Sequence, residues 1–232
     1  MKLLSIDSSG KTAAVAVTEG PRILAEGFAD EGLTHSQMLL PLVDETLKKA
    51  GISLPEIDLF AVTNGPGSFT GLRIGCSLVK GMALGRPCVA VPTLQALAFN
   101  EADSGKTAVA LLDARCSQVY MGAYSFSEGC AHCEIADQAC SLTAAEEKIG
   151  KLQGPVVLLG DGAYLLGNLA DHQRIVLGQY HAILGKSVAR AAAFLEPGAP
   201  GRLLPTYFRL SQAEREYQMK QQKGEKNGSI GL

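Results

Sequence analysis

Two short polar loops are candidates for chemistry, because each follows an apolar segment that predicts a buried strand. The strand predicted over residues 3–6 leads into a carboxylate and two hydroxyls, and the one over 58–63 leads into the glycine-rich stretch 64–71. A carboxylate beside hydroxyls can position a metal-bound phosphate, and glycines before a helix bring backbone N–H groups close to an anion. Ordinary turn geometry explains the same residues equally well, so both interpretations stay open. The residues concerned are Asp7, Ser8, Ser9, Gly65 and Gly67.

Three familiar motifs do not fit these loops. A dinucleotide-binding GxGxxG would require glycine where the chain has Thr70. A nucleophile elbow around Ser68 would require glycines at the positions of Pro66 and Thr70. The Gly-Lys-Thr at 10–12 lacks the upstream glycine of a Walker loop and has Ser5 there. The loops therefore predict none of these three activities.

A cluster of soft ligands lies in the second half of the chain. Cys130, His132, Cys133 and Cys140 include a CxxC spacing that zinc accepts, but no second CxxC or HxxxH pair completes a set of four ligands. The alternative is a loop of small, half-buried thiols that begins after residues 128–129. Without a secretory signal, the cysteines are expected to stay reduced. We favour the loop and predict no metal site.

Length, charge and hydropathy argue against several classes of protein. The 232 residues carry 21 basic and 23 acidic side chains, with no basic cluster of the kind that binds a phosphate backbone. Residues 1–7 reach a carboxylate too early for a signal peptide, and no apolar run reaches membrane-spanning length. We therefore expect a globular, cytoplasmic protein with no membrane segment, which does not bind RNA strongly by itself.

Regular elements must position these loops. The start of the chain predicts a three-stranded meander, and Thr34 with Gln37 forms a capping-box pattern for a helix that stops at Gly51. The predicted strands are 3–7, 12–17, 22–26, 58–63, two within 107–124, and 156–159, and the later predicted helices are 70–84, 143–150, 163–170 and 182–195.

The first two predicted helices show features of close packing. In the second, glycines stand four residues apart at 71 and 75 and again at 81 and 85, which predicts a close helix–helix contact within the chain or with a partner. In the first, Met38 and Leu40 lie off the main apolar stripe. They widen the apolar surface beyond what one packing face requires, which indicates a binding partner.

Several of these stretches together resemble the TsaB family, formerly called YeaZ. The matching segments are LLSIDSS at 3–9, HSQMLLP at 35–41, NGPGSFTGLRIG at 64–75, LLDARCSQVY at 111–120 and, more weakly, LPTYFR at 204–209. The resemblance implies an α/β fold of the actin-like ATPase type (ASKHA, ribonuclease H-like) with two lobes. The first lobe would comprise 1–103 and about 182–213, the second would comprise 104–181, and 214–232 would be a disordered tail.

The resemblance also implies that the active site has been lost. The related transferase TsaD carries two metal-binding histidines four residues apart, and Thr93 and Leu97 stand at those positions here. Nucleotide-binding members of the superfamily have a second glycine-rich loop where this chain has Asp113 and Arg115, for which a structural ion pair is expected. Residues 160–162 faintly resemble an adenosine loop. No catalytic residue, metal or required cofactor is expected, and weak ATP or ADP binding at a degenerate nucleotide loop stays open.

The function implied by the resemblance is that of an accessory subunit. It would bind and activate a TsaD-type transferase, which forms N6-threonylcarbamoyladenosine beside the anticodon of tRNAs that read codons beginning with adenine. A TsaE-type ATPase, a functional link to a TsaC-type adenylate synthase, tRNA contact through the complex and a homodimer are implied as well. An independent ATPase or kinase using Asp7 is the alternative, and a peptidase is a weaker one. The predicted interface residues are Met38, Leu39, Leu42, Val43, Leu72, Ile74, Gly75 and Val79.

Overall fold

The first part of the chain forms a five-stranded mixed sheet. The computed structural model describes residues 1–30, 34–171 and 174–209. The strands are β1 (Lys2–Asp7), β2 (Ala13–Glu19), β3 (Arg22–Ala29), β4 (Leu59–Gly65) and β5 (Cys88–Pro92), and the helices are α1 (His35–Ala50), α2 (Phe69–Ala83) and α3 (Thr93–Ala98). The strand order is β3-β2-β1-β4-β5, with β1 antiparallel to β2 and parallel to β4.

A second five-stranded sheet repeats this arrangement. Its strands are β6 (Thr107–Asp113), β7 (Gln118–Ser127), β8 (Cys130–Ser141), β9 (Val156–Leu159) and β10 (Ile175–Leu177), and α4 (Leu142–Lys151) and α5 (Gly185–Ala192) complete the regular helices. The order is β10-β9-β6-β7-β8, with β6 antiparallel to β7 and parallel to β9. Each sheet is therefore an antiparallel meander followed by two parallel strands, a duplication that the sequence does not reveal.

Local sequence signals explain where the long helices begin and end. The Thr34 N–H donates to Gln37 Oε1 at 3.4 Å, which confirms the capping box at the start of α1. Gly51 ends α1 with a φ of 66°, a left-handed conformation that glycine adopts without steric cost. Ser68 caps α2, because its Oγ accepts from the Gly71 N–H at 3.2 Å.

The core is arranged in layers around the two sheets. One apolar cluster lies between the first sheet and α1 and α2, and another lies against α4 on the far side of the second sheet. The largest cluster joins the two sheets through α3 and α5, and it includes Leu94, Leu97, Phe99, Val157 and Val188. The lobes therefore share a buried middle layer.

Three predicted elements differ from the structure. The last helix covers only residues 185–192, and its first residue lies against β2, since a β-carbon at Gly185 would be 2.5 Å from a backbone atom of Val15. The helix predicted at 163–170 is a 3-10 segment, Ala163–Asp171, with a non-helical Leu166. The predicted cysteine loop is the strand β8. The predicted tail at 214–232 lies outside the described residues.

Candidate functional site

Asp7 ends β1 in the cleft between the sheets and is almost fully enclosed. It is 1 % exposed, and its Oδ1 accepts hydrogen bonds from Thr63 Oγ1 at 2.6 Å, Ser9 Oγ at 2.7 Å and the Ser9 N–H at 3.1 Å. Burial raises the pKa of this carboxyl, and the hydrogen bonds from Thr63 and Ser9 oppose the rise. Asp7 therefore acts as an internal acceptor that holds the ends of β1 and β4 together.

The two loops predicted to bind phosphate contact each other directly. Ser8 Oγ donates to the Gly71 carbonyl at 2.9 Å, and the Ser9 carbonyl accepts from the Ser68 N–H at 2.7 Å. Gly67 lies so close that a β-carbon there would be 2.5 Å from the Ser9 carbonyl oxygen. The structure thus brings the predicted residues together, and several of their polar groups bond to each other while both loops also line a cavity.

Gly65 ends β4 and is held by α3. Its N–H donates to Thr93 Oγ1 at 3.0 Å, and its φ of 133° lies in a region that glycine tolerates best. Thr93 and Leu97 are both fully buried. The two positions where the resemblance implies lost metal ligands therefore contribute to internal packing.

The turn between β6 and β7 stands where a second phosphate loop was considered. The Arg115 N–H donates to Asp113 Oδ1 at 2.7 Å and its Nε lies 3.9 Å from Asp113 Oδ2, so the expected ion pair is present. Because the pair is largely exposed, it contributes little stability. Arg115, Cys116 and Ser117 have φ values of 65°, 53° and 55°. Three consecutive non-glycine residues in this region are rare, so other contacts must support the turn.

Two cavities lie in the cleft, with volumes of about 350 and 420 Å³. Both are bounded by residues 9–11 and Asp161, and their walls combine acidic, basic and aromatic side chains. A small polar molecule fits such a site, and weak nucleotide binding there stays a prediction. The first cavity also uses residues 67–69, 112–115 and Arg209, and the second also uses Asp7, Phe28 and residues 179–184.

Sequence reasoning missed two long-range contacts in this cleft. Asp161 Oδ1 accepts from the Asp113 N–H at 3.0 Å, and the Arg209 guanidinium donates to the Ala114 carbonyl. The partners are 48 and 95 positions apart along the chain. No local pattern signals either contact, although both Asp161 and Arg209 stood in segments that the resemblance had marked.

Most residues predicted to contact a partner lie in the core beneath α1 and α2. Of the eight, only Ile74 is partly exposed. Buried side chains pack between the helices and the sheet and cannot themselves contact a partner. Only the outward residues of the same helices are accessible to one. The seven buried residues are Met38, Leu39, Leu42, Val43, Leu72, Gly75 and Val79.

The glycines of α2 are of two kinds. A β-carbon at Gly71 would lie 2.0 Å from the Ser8 carbonyl oxygen, and one at Gly75 would lie 2.3 Å from the Ser8 hydroxyl. Both glycines make room for the turn after β1. Gly71 also lies against α1, because its β-carbon would be 2.9 Å from His35 Cδ2, whereas Gly75 approaches only Ser8 and Val62. The predicted helix–helix contact is therefore present at Gly71 and not at Gly75. A β-carbon at Gly81 would meet nothing within 4 Å, and the outward side of α2 is open at that point.

The remaining sequence features add no site within the described residues. On β8, Cys130 and Cys140 are partly buried and Cys133 is exposed. Across residues 1–30, 34–171 and 174–209, no three His, Cys, Asp or Glu side chains are grouped to hold a metal ion. None of the helices in these ranges is both long and apolar enough to cross a bilayer.

The duplicated mixed sheets and the cleft between them are those of the actin-like fold. The family model for TsaD, described as tRNA N6-adenosine threonylcarbamoyltransferase, matches residues 32–201. The TsaB protein of Escherichia coli K12 is 33 % identical over 189 residues, which cover 79 % of this chain and 81 % of the relative. The chain belongs to the TsaB family of tRNA threonylcarbamoyladenosine biosynthesis proteins.

Two further comparisons extend over nearly the whole chain. The TsaB protein of Bacillus subtilis 168 is 30 % identical over 228 residues, which cover 94 % of this chain and 98 % of the relative. The solved structure of YeaZ from Pseudomonas aeruginosa superposes with a TM-score of 0.76 at 26 % identity and covers 89 % of this chain and 99 % of that one. The resemblance and the actin-like fold stated from the sequence are confirmed.

Proposed function

We propose that this chain is a non-catalytic subunit that binds a TsaD-type transferase and supports its formation of N6-threonylcarbamoyladenosine in tRNA. Membership of the TsaB family supports the pathway. The observation that carries the non-catalytic role is the burial of Thr93 and Leu97, which stand where the resemblance implies the two metal-binding histidines of the transferase. Neither side chain supplies an imidazole nitrogen, so the metal site implied for the transferase cannot form at these two positions.

We assign partner binding to the α1–α2 face, which is the outward surface formed by Leu40, Arg73, Ile74, Ser77 and Gly81. Leu40 is 55 % exposed, Ile74 is partly exposed, and Ser77 and Gly81 present almost no side-chain bulk. Apolar side chains beside small residues allow a partner helix to approach closely.

The buried core beneath these helices fixes the shape of the α1–α2 face. The same face would serve a homodimer, because an isologous interface pairs identical patches. A TsaE-type ATPase and tRNA would join through the complex with the transferase, and a TsaC-type synthase would supply the adenylate.

Reconstitution tests this proposal. A TsaD-type subunit, a TsaE-type ATPase, tRNA and threonylcarbamoyl-adenylate are combined with and without this chain, and the modified nucleoside is measured by mass spectrometry. We expect modification to require the chain. The variant Ser77→Arg should weaken binding of the transferase roughly tenfold or more, about 1.4 kcal/mol, because it places an unpaired charge in the interface.

The matched control is Glu147→Arg, which adds an arginine at an exposed position of α4 in the other lobe. This variant should support modification as the wild type does. Equal modification without the chain would contradict the proposal. ATP turnover by the chain alone would favour the alternative of an independent ATPase.

A further inference from the structure

The segment 204–209 runs across the mouth of the cleft, and its first part is fixed to the end of β4. The Thr206 N–H donates to the Asn64 carbonyl at 2.6 Å, and Asn64 Nδ2 donates to the Leu204 carbonyl at 3.2 Å. A β-carbon at Gly65 would lie 2.0 Å from the Thr206 carbonyl oxygen. The backbone of the segment therefore lies directly against β4.

The middle of the segment is fixed to the first turn of α2. The Tyr207 ring stacks on Phe69 with a centroid distance of 4.3 Å and an angle of 10°. Arg73 Nε donates to the Tyr207 hydroxyl at 2.8 Å, and the guanidinium lies 5.6 Å from the centre of the same ring. Stacking and a cation over the ring both favour this position.

The end of the segment reaches the second lobe. Phe208 meets Tyr120 of β7 edge-on at 6.4 Å. The Arg209 guanidinium donates to the Ala114 carbonyl and, at 3.4 Å, to the Arg115 carbonyl. These two carbonyls belong to the turn with three consecutive left-handed residues. The charged donor of Arg209 is thus a contact that supports this strained turn.

We propose that residues 204–209 form an interlobe latch that sets how far the cleft opens. The latch joins β4 and α2 in the first lobe to the β6–β7 turn in the second, and Arg209 also forms part of the wall of the 350 Å³ cavity. In the second lobe, Arg209 is bound by neutral backbone carbonyls and not by a carboxylate. Breaking these hydrogen bonds therefore leaves no buried carboxylate without a partner. Release lets the two lobes move apart and widens this cavity.

Distance measurements between the lobes test the latch. Genetically encoded spin labels are placed at two exposed positions, Lys49 on α1 and Glu147 on α4. The distance between the labels is measured by pulsed electron paramagnetic resonance. Arg209→Ala should shift the distance distribution to longer values and broaden it. Arg202→Ala removes an exposed arginine seven residues earlier and should leave the wild-type distribution.

A second variant weakens the attachment of the latch to the first lobe, where the hydrogen bonds to β4 stay in place. Tyr207→Ala removes the stack on Phe69 and the hydrogen bond from Arg73, and it should shift the distribution in the same direction as Arg209→Ala. Circular dichroism checks that each variant is folded. A wild-type distribution in Arg209→Ala would overturn the proposal, because this variant removes the charged contact with the second lobe. A shift to shorter distances in Tyr207→Ala, or a shift in Tyr207→Ala alone, would overturn it as well.

Discussion

The same substitution at two glycines of α2 should change stability in opposite directions. In Gly71→Ala, the new β-carbon would lie 2.0 Å from the Ser8 carbonyl oxygen and 2.9 Å from His35 Cδ2. Ser8 is fully buried, so its backbone has no room to move aside. Overpacking of this kind costs about 1–3 kcal/mol or more, and the better helix propensity of alanine offsets about 1 kcal/mol of that cost. We expect a net loss of roughly 1–2 kcal/mol.

Gly81→Ala is the matched control on the same helix. Its β-carbon would meet nothing within 4 Å, so only the gain in helix propensity of roughly 0.5–1 kcal/mol is expected. The two variants should therefore differ by about 1.5–3 kcal/mol in the free energy of unfolding. Because Gly81 belongs to the proposed partner surface, Gly81→Ala should also bind the transferase more weakly although it is more stable.

Urea unfolding followed by circular dichroism measures this difference. The protein concentration is held constant, since self-association adds to the apparent stability. Unchanged slopes with a lower midpoint for Gly71→Ala and a higher one for Gly81→Ala would agree with the structure. If Gly71→Ala were as stable as Gly81→Ala, α2 would not approach the turn after β1 as closely as it does in the structure.

Two further predictions concern buried polar groups. Burial raises the pKa of Asp137 to about 6, so between about pH 4 and 6 the unfolded state releases a proton that the folded state keeps. The free energy of unfolding should therefore fall by roughly 3 kcal/mol as the pH rises through this range. Asp137→Asn should remove this pH dependence when unfolding is measured at several pH values. If the variant showed the same pH dependence as the wild type, the pKa shift would be refuted. Thr93→Val leaves the Gly65 N–H without its acceptor and should cost about 1–3 kcal/mol by thermal unfolding, whereas Thr143→Val at an exposed position should change stability little.

The parts of the fold that could be predicted are those fixed by local signals. The capping box at Thr34 and the left-handed Gly51 define α1 from sequence alone. Strand β8 could not be found in this way, because two register shifts against β7 destroy the alternation of buried and exposed residues that identifies a strand. The cysteines in it therefore looked like a loop. The start of α5 was missed because it depends on the backbone of β2, which is distant in sequence.

The site shows the same division between local and long-range information. The polar loops after β1 and β4 were recognisable from the residue types, but their contact with each other was found only in the structure. Spacing showed that Gly71 and Gly75 permit close approach, but it could not show that Ser8 approaches both glycines and that the helix α1 approaches only Gly71. The contact of Arg209 with Ala114 had no sequence signal, since a single arginine near the end of a chain is compatible with many positions.

The buried middle layer has a consequence for how the two halves of this protein can evolve. α3 contacts strands of both sheets, and α5, which follows the second sheet in the chain, packs on β1 and β2 of the first. Neither half can therefore be exchanged for a homologous half without matching the surface of the other. The two halves share one topology, but each packs against the other. A substitution at a position such as Leu94 or Val188 must therefore fit the packing of both halves.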